Sequence, residues 1–350
     1  MRARNYVHTR TRKRGGSLWR PGFQKCIKAI RYARDPATLS KLNLRIKIHR
    51  AEIFDNIRDL FEENGTFRTD VSVGKWQLGS AGKSGSFLGF SPSGRYIVKS
   101  LPVREFQKML KILESYNTYL ENHSSSLLTR FFGLYTVHHG VFPRPQHVIV
   151  MANALYTGGK RRCDYIYDLK GSWLGRKAKS GVVVLKDQDW CSSSVFRQTA
   201  EKYGGRGSSA LKSGAYAARF LEFMQEFGIT DKGGSQPVTF ETTQAKEIIS
   251  AIQDDVDFLR GLEVMDYSLL MGVKRVKKLG KKKSCGSRKT VVKYRVPPQS
   301  IVYISIIDFL STYDMAKRVQ HDSNVLRDIT GHVASKVHLT RTRKRRSSRI

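Results

Sequence analysis

Two apolar segments of this chain each carry one aspartate and little other charge, and that repeated pattern restricts the fold more than any other feature. The first is Gly261-Leu262-Glu263-Val264-Met265-Asp266-Tyr267-Ser268-Leu269-Leu270-Met271-Gly272, with Asp266 set among apolar neighbours. The second is Ile301-Val302-Tyr303-Ile304-Ser305-Ile306-Ile307-Asp308-Phe309-Leu310, a β-branched run that reads as a strand ending on an acid. Burying a carboxylate without a partner costs several kcal/mol, so the fold must supply something to offset that cost. An isolated aspartate equally suits a helix cap or a turn. Two together suit phosphoryl transfer, in which one acid orients an attacking hydroxyl and the other holds a metal ion.

At 350 residues the chain is long enough for one large core or two lobes. Its 63 Lys+Arg against 29 Asp+Glu give a formal charge of +34. Such a balance predicts an anionic partner, either nucleic acid or a membrane surface rich in acidic lipid. No run of 18 apolar residues exists, so no bilayer-spanning helix is expected. No signal-peptide-like stretch follows Met1-Arg2-Ala3-Arg4-Asn5. Cys26, Cys163, Cys191 and Cys285 lack Cys-x-x-Cys spacing and read as reduced thiols of an intracellular protein.

Residues 1–45 read as a basic, flexible arm. From Ile46 a helical pattern runs through Ile53, Ile57, Leu60 and Phe61. Gly79-Ser80-Ala81-Gly82-Lys83-Ser84-Gly85-Ser86-Phe87 then offers a glycine- and serine-rich turn. It fails the P-loop spacing, because Gln77 stands where that motif needs glycine. The turn can still present backbone N–H groups to a phosphate, or be a plain hairpin turn. Strands at 86–90 and 95–101 follow, the second carrying Lys99 among apolar neighbours. Glycine loop, strand, turn and lysine-bearing strand is the order of protein kinases, although a surface lysine fits Lys99 as well. Pro102 opens a helix with Phe106, Leu110, Leu113 and Tyr116 on one face. Glu105, in its first turn, is placed to approach Lys99 or simply to favour the helix dipole. Strands at 131–137 and 147–151 lead into Met151-Ala152-Asn153, a link between a small N-terminal lobe (46–153) and a larger C-terminal one (154–325).

That second lobe opens with Asp168-Leu169-Lys170-Gly171-Ser172-Trp173-Leu174-Gly175-Arg176, charges around glycines that suit a functional turn or a hairpin with a surface ion pair. An acidic corner follows at Lys186-Asp187-Gln188-Asp189-Trp190, and helices are expected at 211–227 and 241–259. From Lys274 to Arg295 there are eleven Lys or Arg and no acid, which reads as a solvated basic insertion over 274–298. A basic tail covers 326–350.

In order and in kind these segments resemble the phosphatidylinositol phosphate kinase family over roughly residues 46–325. The resemblance is carried by Gly82-Lys83-Ser84-Gly85-Ser86-Phe87, Tyr96-Ile97-Val98-Lys99, Phe131-Phe132-Gly133-Leu134-Tyr135, Tyr167-Asp168-Leu169-Lys170-Gly171-Ser172, Met265-Asp266-Tyr267-Ser268-Leu269-Leu270 and Ile306-Ile307-Asp308. It implies a two-lobed α+β lipid kinase fold, distantly related to protein kinases, with an antiparallel sheet in each lobe. It also implies transfer of the ATP γ-phosphate, with Mg²⁺, to a phosphatidylinositol monophosphate, phosphatidylinositol 4-phosphate foremost. Under it, Asp266 orients the attacking hydroxyl, Lys170 offsets charge near the transferring phosphate, and Asp308 holds the metal. Gly82, Lys83, Ser84, Gly85, Ser86, Lys99, Met151 and Asn153 contact the nucleotide, and Lys317, Arg318 and Gln320 meet the lipid at the cytosolic face of a membrane. The chain departs from the family pattern in three places: Ala152 replaces an asparagine, Gln320 stands where 5-kinases usually carry glutamate, and His338-Leu339-Thr340-Arg341 replaces the Arg-Pro and aromatic residues expected there. A phosphoinositide-binding pseudokinase and a basic nucleic-acid-binding protein are the competing readings, the latter suggested by basic clusters that also suit nuclear import.

Overall fold

A computed structural model describes residues 16–72, 76–79, 86–141, 144–158, 162–170, 176–190, 240–277, 289–296 and 299–312. They fall into two compact units, the first made of Met1–Glu121, Arg130–Gly158 and Ser287–Thr290, the second of Asn122–Thr129, Gly159–Gly286 and Val291–Ile350. The architecture is α+β.

In the first unit, β1 (Leu44–His49), β2 (Gln77–Leu78), β3 (Leu88–Phe90), β4 (Tyr96–Leu101), β5 (Phe131–His139) and β6 (Gln146–Ala152) form one antiparallel sheet. The strand order is β1-β5-β6-β4-β3-β2. Phe131 through Val137 are buried without alternation, as expected of an inner strand covered on both faces. The cover comes from α1 (Gly16–Arg31), α2 (Pro36–Lys41), α3 (Ala51–Leu60), α4 (Asn64–Ser72) and α5 (Val103–Asn122).

The flexible-arm expectation for 1–45 is overturned from residue 16 onward. Phe23, Cys26, Ile27 and Ile30 recur at helical spacing and are all buried, so α1 has an apolar face that packs on the sheet. Gly89 of β3 makes room for it: a Cβ there would lie 3.1 Å from Ile27 Cδ1 and 3.5 Å from the Phe23 ring. The high charge of this stretch masked that period. Ile46 likewise belongs to β1 and not to a helix, which begins only at Ala51 after Arg50 in the left-handed region (φ 46°). Within α3, Arg58 is buried: it donates to the Phe132 carbonyl and Asn64 Oδ1, pairs with Asp55, and covers the Phe67 ring.

In the second unit, β7 (Tyr165–Leu169), β8 (Val184–Leu185), β10 (Ser268–Arg275), β11 (Val292–Val296) and β12 (Ser300–Ile307) form a sheet in the order β11-β12-β10-β7-β8. Its β7–β8 pair is parallel, so the expectation of an antiparallel sheet holds for the first unit and not throughout the second. A two-stranded ladder joins β9 (Val264–Met265) to β13 (Ser311–Thr312). The helices among its described residues are the single turn α6 (Asp187–Trp190) and α7 (Thr242–Gly261). Residues 122–129, expected in the first lobe, belong here. Asp255 of α7, fully buried, accepts from Leu127 N at 2.6 Å, and Thr129 N donates to Ile306 O at 2.9 Å. The basic insertion is also shorter than expected: 274–275 end β10, and 292–296 alternate apolar and basic residues as β11, paired with β12. The helix expected at 211–227 and the tail at 326–350 lie outside the described residues. No described helix is long and apolar enough to cross a membrane.

Candidate active site

Three adjacent strands of the second sheet end at one place. Ser268 of β10 pairs with Ile307 of β12, and Leu269 of β10 pairs with Leu169 of β7. Asp266 lies just before the paired part of β10, Asp308 just after β12, and Lys170 just after β7. Strand register thus gathers residues far apart in sequence. The two acids are corners. Asp266 (φ 64°) turns the chain from β9 into β10, and Asp308 (φ 63°) turns it from β12 toward β13. Aspartate tolerates the left-handed region better than most residues because its short side chain can hydrogen-bond locally. Tyr267, Phe309 and Leu310, their successors, are buried and anchor both corners, while the carboxylates point outward.

The burial cost anticipated for Asp266 is therefore not incurred: its side chain is 47% exposed. It also has a cation. Lys170 Nζ donates to the Asp266 carbonyl at 2.9 Å and stands 3.6 Å from its Oδ1. Among the described residues no group of three or more His, Cys, Asp or Glu is placed to hold a metal ion.

In the first unit, Lys99 sits on β4 between Leu88 of β3 and Ile149 of β6. Its Nζ lies 3.7 Å from Glu105 Oε2, with the two side chains 14% and 18% exposed. Glu105 is thus paired rather than solvated. Phe106, the next residue, is wedged against His147 (rings stacked, 3.9 Å) and His49 (edge-on, 4.9 Å), which fixes the first turn of α5. Ser86 is buried at the entry to β3, where Phe87 N donates to Ser100 Oγ at 2.8 Å. Met151 is half-buried on β6. The Asn153 side chain serves the local chain: its amide donates to Gly94 O at 2.8 Å and its oxygen accepts from Leu155 N at 3.1 Å. Gly82, Lys83, Ser84 and Gly85, and likewise Lys317, Arg318 and Gln320, lie outside the described residues.

Two residues escaped the sequence reading. Asp187 is fully buried and Arg176 nearly so, joined by a 2.7 Å bond from Arg176 Nε to Asp187 Oδ2. Burial pushes the Asp187 carboxyl up from its ordinary value, and the Arg176 guanidinium pulls it back. Both had been noted only as parts of charged turns. Cys26 and Cys163 are free thiols, pushed by burial up to about 12 and about 11.

A family model described as Phosphatidylinositol-4-phosphate 5-Kinase matches residues 75–203 and 230–296. That is more than half of the chain, and the chain belongs to this family. The match includes Lys99, Lys170 and Asp266 and stops before Asp308. A probable phosphatidylinositol phosphate kinase of Dictyostelium discoideum is 33% identical over 204 residues, 56% of this chain and 22% of that protein. Phosphatidylinositol 4-phosphate 5-kinase its3 of Schizosaccharomyces pombe is 26% identical over 243 residues, 67% of this chain and 27% of that protein. For phosphatidylinositol 4-phosphate 5-kinase type-1 beta of Homo sapiens the figures are 26% over 233 residues, 66% and 36%. The chain thus spans well under half the length of these curated relatives.

Proposed function

We propose that this chain transfers the γ-phosphate of ATP to the inositol ring of a phosphatidylinositol monophosphate, with phosphatidylinositol 4-phosphate as substrate and the 4,5-bisphosphate as product. The observation that carries the reading is the convergence of Lys170, Asp266 and Asp308 at one end of β7, β10 and β12. Asp266 accepts a hydrogen bond from the attacking hydroxyl and holds it in line. Lys170, already on Asp266, offsets negative charge on the transferring phosphoryl group. Lys99, oriented by Glu105, contacts the nucleotide phosphates. Catalysis of this kind is positioning plus charge neutralisation, with little covalent chemistry for the protein to perform.

The donor set fits magnesium. Mg²⁺ is usually held by one or two carboxylates together with substrate phosphates and water, and Asp308 offers an exposed carboxylate just past the end of β12. When bound, the ion neutralises phosphate charge. The distant kinship with protein kinases belongs to the same reading.

The +34 charge suits a peripheral enzyme at an anionic, cytosolic membrane face, where each Lys or Arg near the surface contributes about 1 kcal/mol. Lys317 and Arg318, with Gln320, follow Asp308 closely enough to present that surface near the reacting centre. The test is incubation with labelled ATP and a panel of phosphatidylinositol phosphates in vesicles, followed by identification of the product headgroup. Product from phosphatidylinositol 4-phosphate is expected. Vesicle binding with no phosphorylated lipid would instead favour a pseudokinase, and equal binding to duplex DNA at matched salt a nucleic-acid protein.

A further inference from the structure

We infer that Asp187 is a positioning residue for the Lys170 side chain, a role that rests on the phosphate-transfer reading of Lys170 and Asp266 above. The last ladder pair between β7 and β10 is Leu169 with Leu269. Lys170 lies beyond it, and its amide is bonded to a side chain instead: Lys170 N donates to Asp187 Oδ1 at 2.9 Å. The other oxygen, Oδ2, accepts from Arg176 Nε at 2.7 Å. One carboxylate therefore holds both Lys170 and Arg176, the residues on either side of 171–175.

The brace is itself fixed. The Arg176 guanidinium also donates to the Asp168 carbonyl and reaches Asp168 Oδ1 at 3.3 Å, so it is tied to β7. Gln188 N donates back to Arg176 O at 2.9 Å, and Trp190 packs edge-on against Tyr167 at 4.7 Å. Asp187 is fully buried, at the start of a single helical turn that would be marginal alone. Burial without Arg176 would be costly for this carboxylate. Yet replacing a buried ion pair by apolar residues of similar volume is often neutral for stability. What an apolar pair cannot do is accept the Lys170 amide. The chain from Arg176 through Asp187 to the Lys170 backbone sets where Nζ emerges, and Nζ ends 2.9 Å from the Asp266 carbonyl. An error of about 1 Å in such a group can cost on the order of 100-fold in rate.

The test compares three variants with the unmodified chain: Asp187→Asn, the double variant Asp187→Ala with Arg176→Met, and Asp189→Asn. Three quantities are read: thermal midpoint, acylation rate of the Lys170 amine followed by peptide mass spectrometry, and steady-state kinetics on phosphatidylinositol 4-phosphate vesicles. The double variant leaves no uncompensated buried charge, so it serves if the single one fails to fold. In each folded Asp187 variant, Lys170 should acylate faster and kcat should fall about 10- to 100-fold, with the KM for ATP unchanged. Asp189 accepts from Ala178 N at 2.9 Å and Lys186 N at 3.0 Å, and Asp189→Asn should leave Lys170 reactivity and kcat as they were. A folded double variant with wild-type Lys170 reactivity and kcat overturns the proposal. So does a kcat loss with unchanged Lys170 reactivity. If the unmodified chain phosphorylates no lipid, the functional reading fails instead, while the acylation rates still report whether Asp187 fixes Lys170.

Discussion

Asp266 and Asp308 occupy the same interruption of an otherwise continuous antiparallel ladder. Ser268 pairs with Ile307 on one side of it and Met265 with Ser311 on the other, so residues 266–267 face residues 308–310. The extra residue on one strand makes this bulge-like, a device that re-aims side chains next to active sites. Replacing either acid by asparagine keeps the shape and hydrogen bonding of the corner and removes its charge. Asp266→Asn and Asp308→Asn are each expected to lower phosphate transfer by more than tenfold, a barrier change above roughly 1.4 kcal/mol, with unchanged thermal midpoints. Only Asp308→Asn should also weaken binding of MgATP. A tenth or more of the wild-type rate in either variant would remove that acid from the mechanism.

The Lys99–Glu105 pair makes a separate prediction. Lys99→Ala should raise the KM for ATP and lower kcat together, because phosphates meet the lysine in ground and transition states alike. Glu105→Gln should shift both in the same direction by less, since it leaves the cation in place and loosens only its orientation. ATP kinetics measured at saturating lipid decide this. Unchanged constants in Lys99→Ala would reduce β3 and β4 to scaffolding.

Acid should weaken the first unit through its histidines. Burial holds His49, His139 and His147 below the usual 6.5, with repulsion from Lys47 and His147 adding at His49, from Lys25 and His138 at His139, and from His138 at His147. Between the unfolded value and the depressed folded values, the unfolded chain binds the protons first. Stability is thus fully present above pH 6.5 and is lost as pH falls below it toward the folded values. Thermal melts should show a midpoint that is level from about pH 8 to 7 and declines toward about pH 5. His147→Leu, which removes one of these groups, should flatten that decline; an equal slope would assign it to other groups.

Docking of α1 is testable by cavity formation. Phe23 is buried, its ring 5.8 Å from that of Phe87. Phe23→Ala should cost about 3–5 kcal/mol, read as a lower denaturant midpoint at constant slope. A loss below about 0.5 kcal/mol, the range of surface substitutions, would mean that α1 is not part of the core.

What was legible in the sequence follows separation along the chain. Glu105 could be put in the first turn of a helix opened by Pro102, but whether it met Lys99 or solvent was left open until the structure showed the pair. Asp266 and Asp308 could each be marked as the end of an apolar run. Arg176 and Asp187 could not be recognised as a buried pair, since charged residues near glycines are ordinarily solvated. The α1 face was hidden for the opposite reason: its apolar period is real, but basic neighbours dilute it.

The sequence by itself determined the strands β3 to β6 and β12 and the helices α5 and α7, through periods of 2 and 3.6, and which acids and lysines stand at their ends. Those properties depend on neighbours within a few residues. Only the tertiary structure decided that β7, β10 and β12 lie side by side, that their ends bring Lys170, Asp266 and Asp308 together, and that Asp187 accepts the amide of the first of these. Such pairings join residues as far apart as Tyr165 and Val273, 108 positions along the chain. Strand order is chosen by how whole apolar faces bury against one another, a non-local sum that no single stretch of sequence contains.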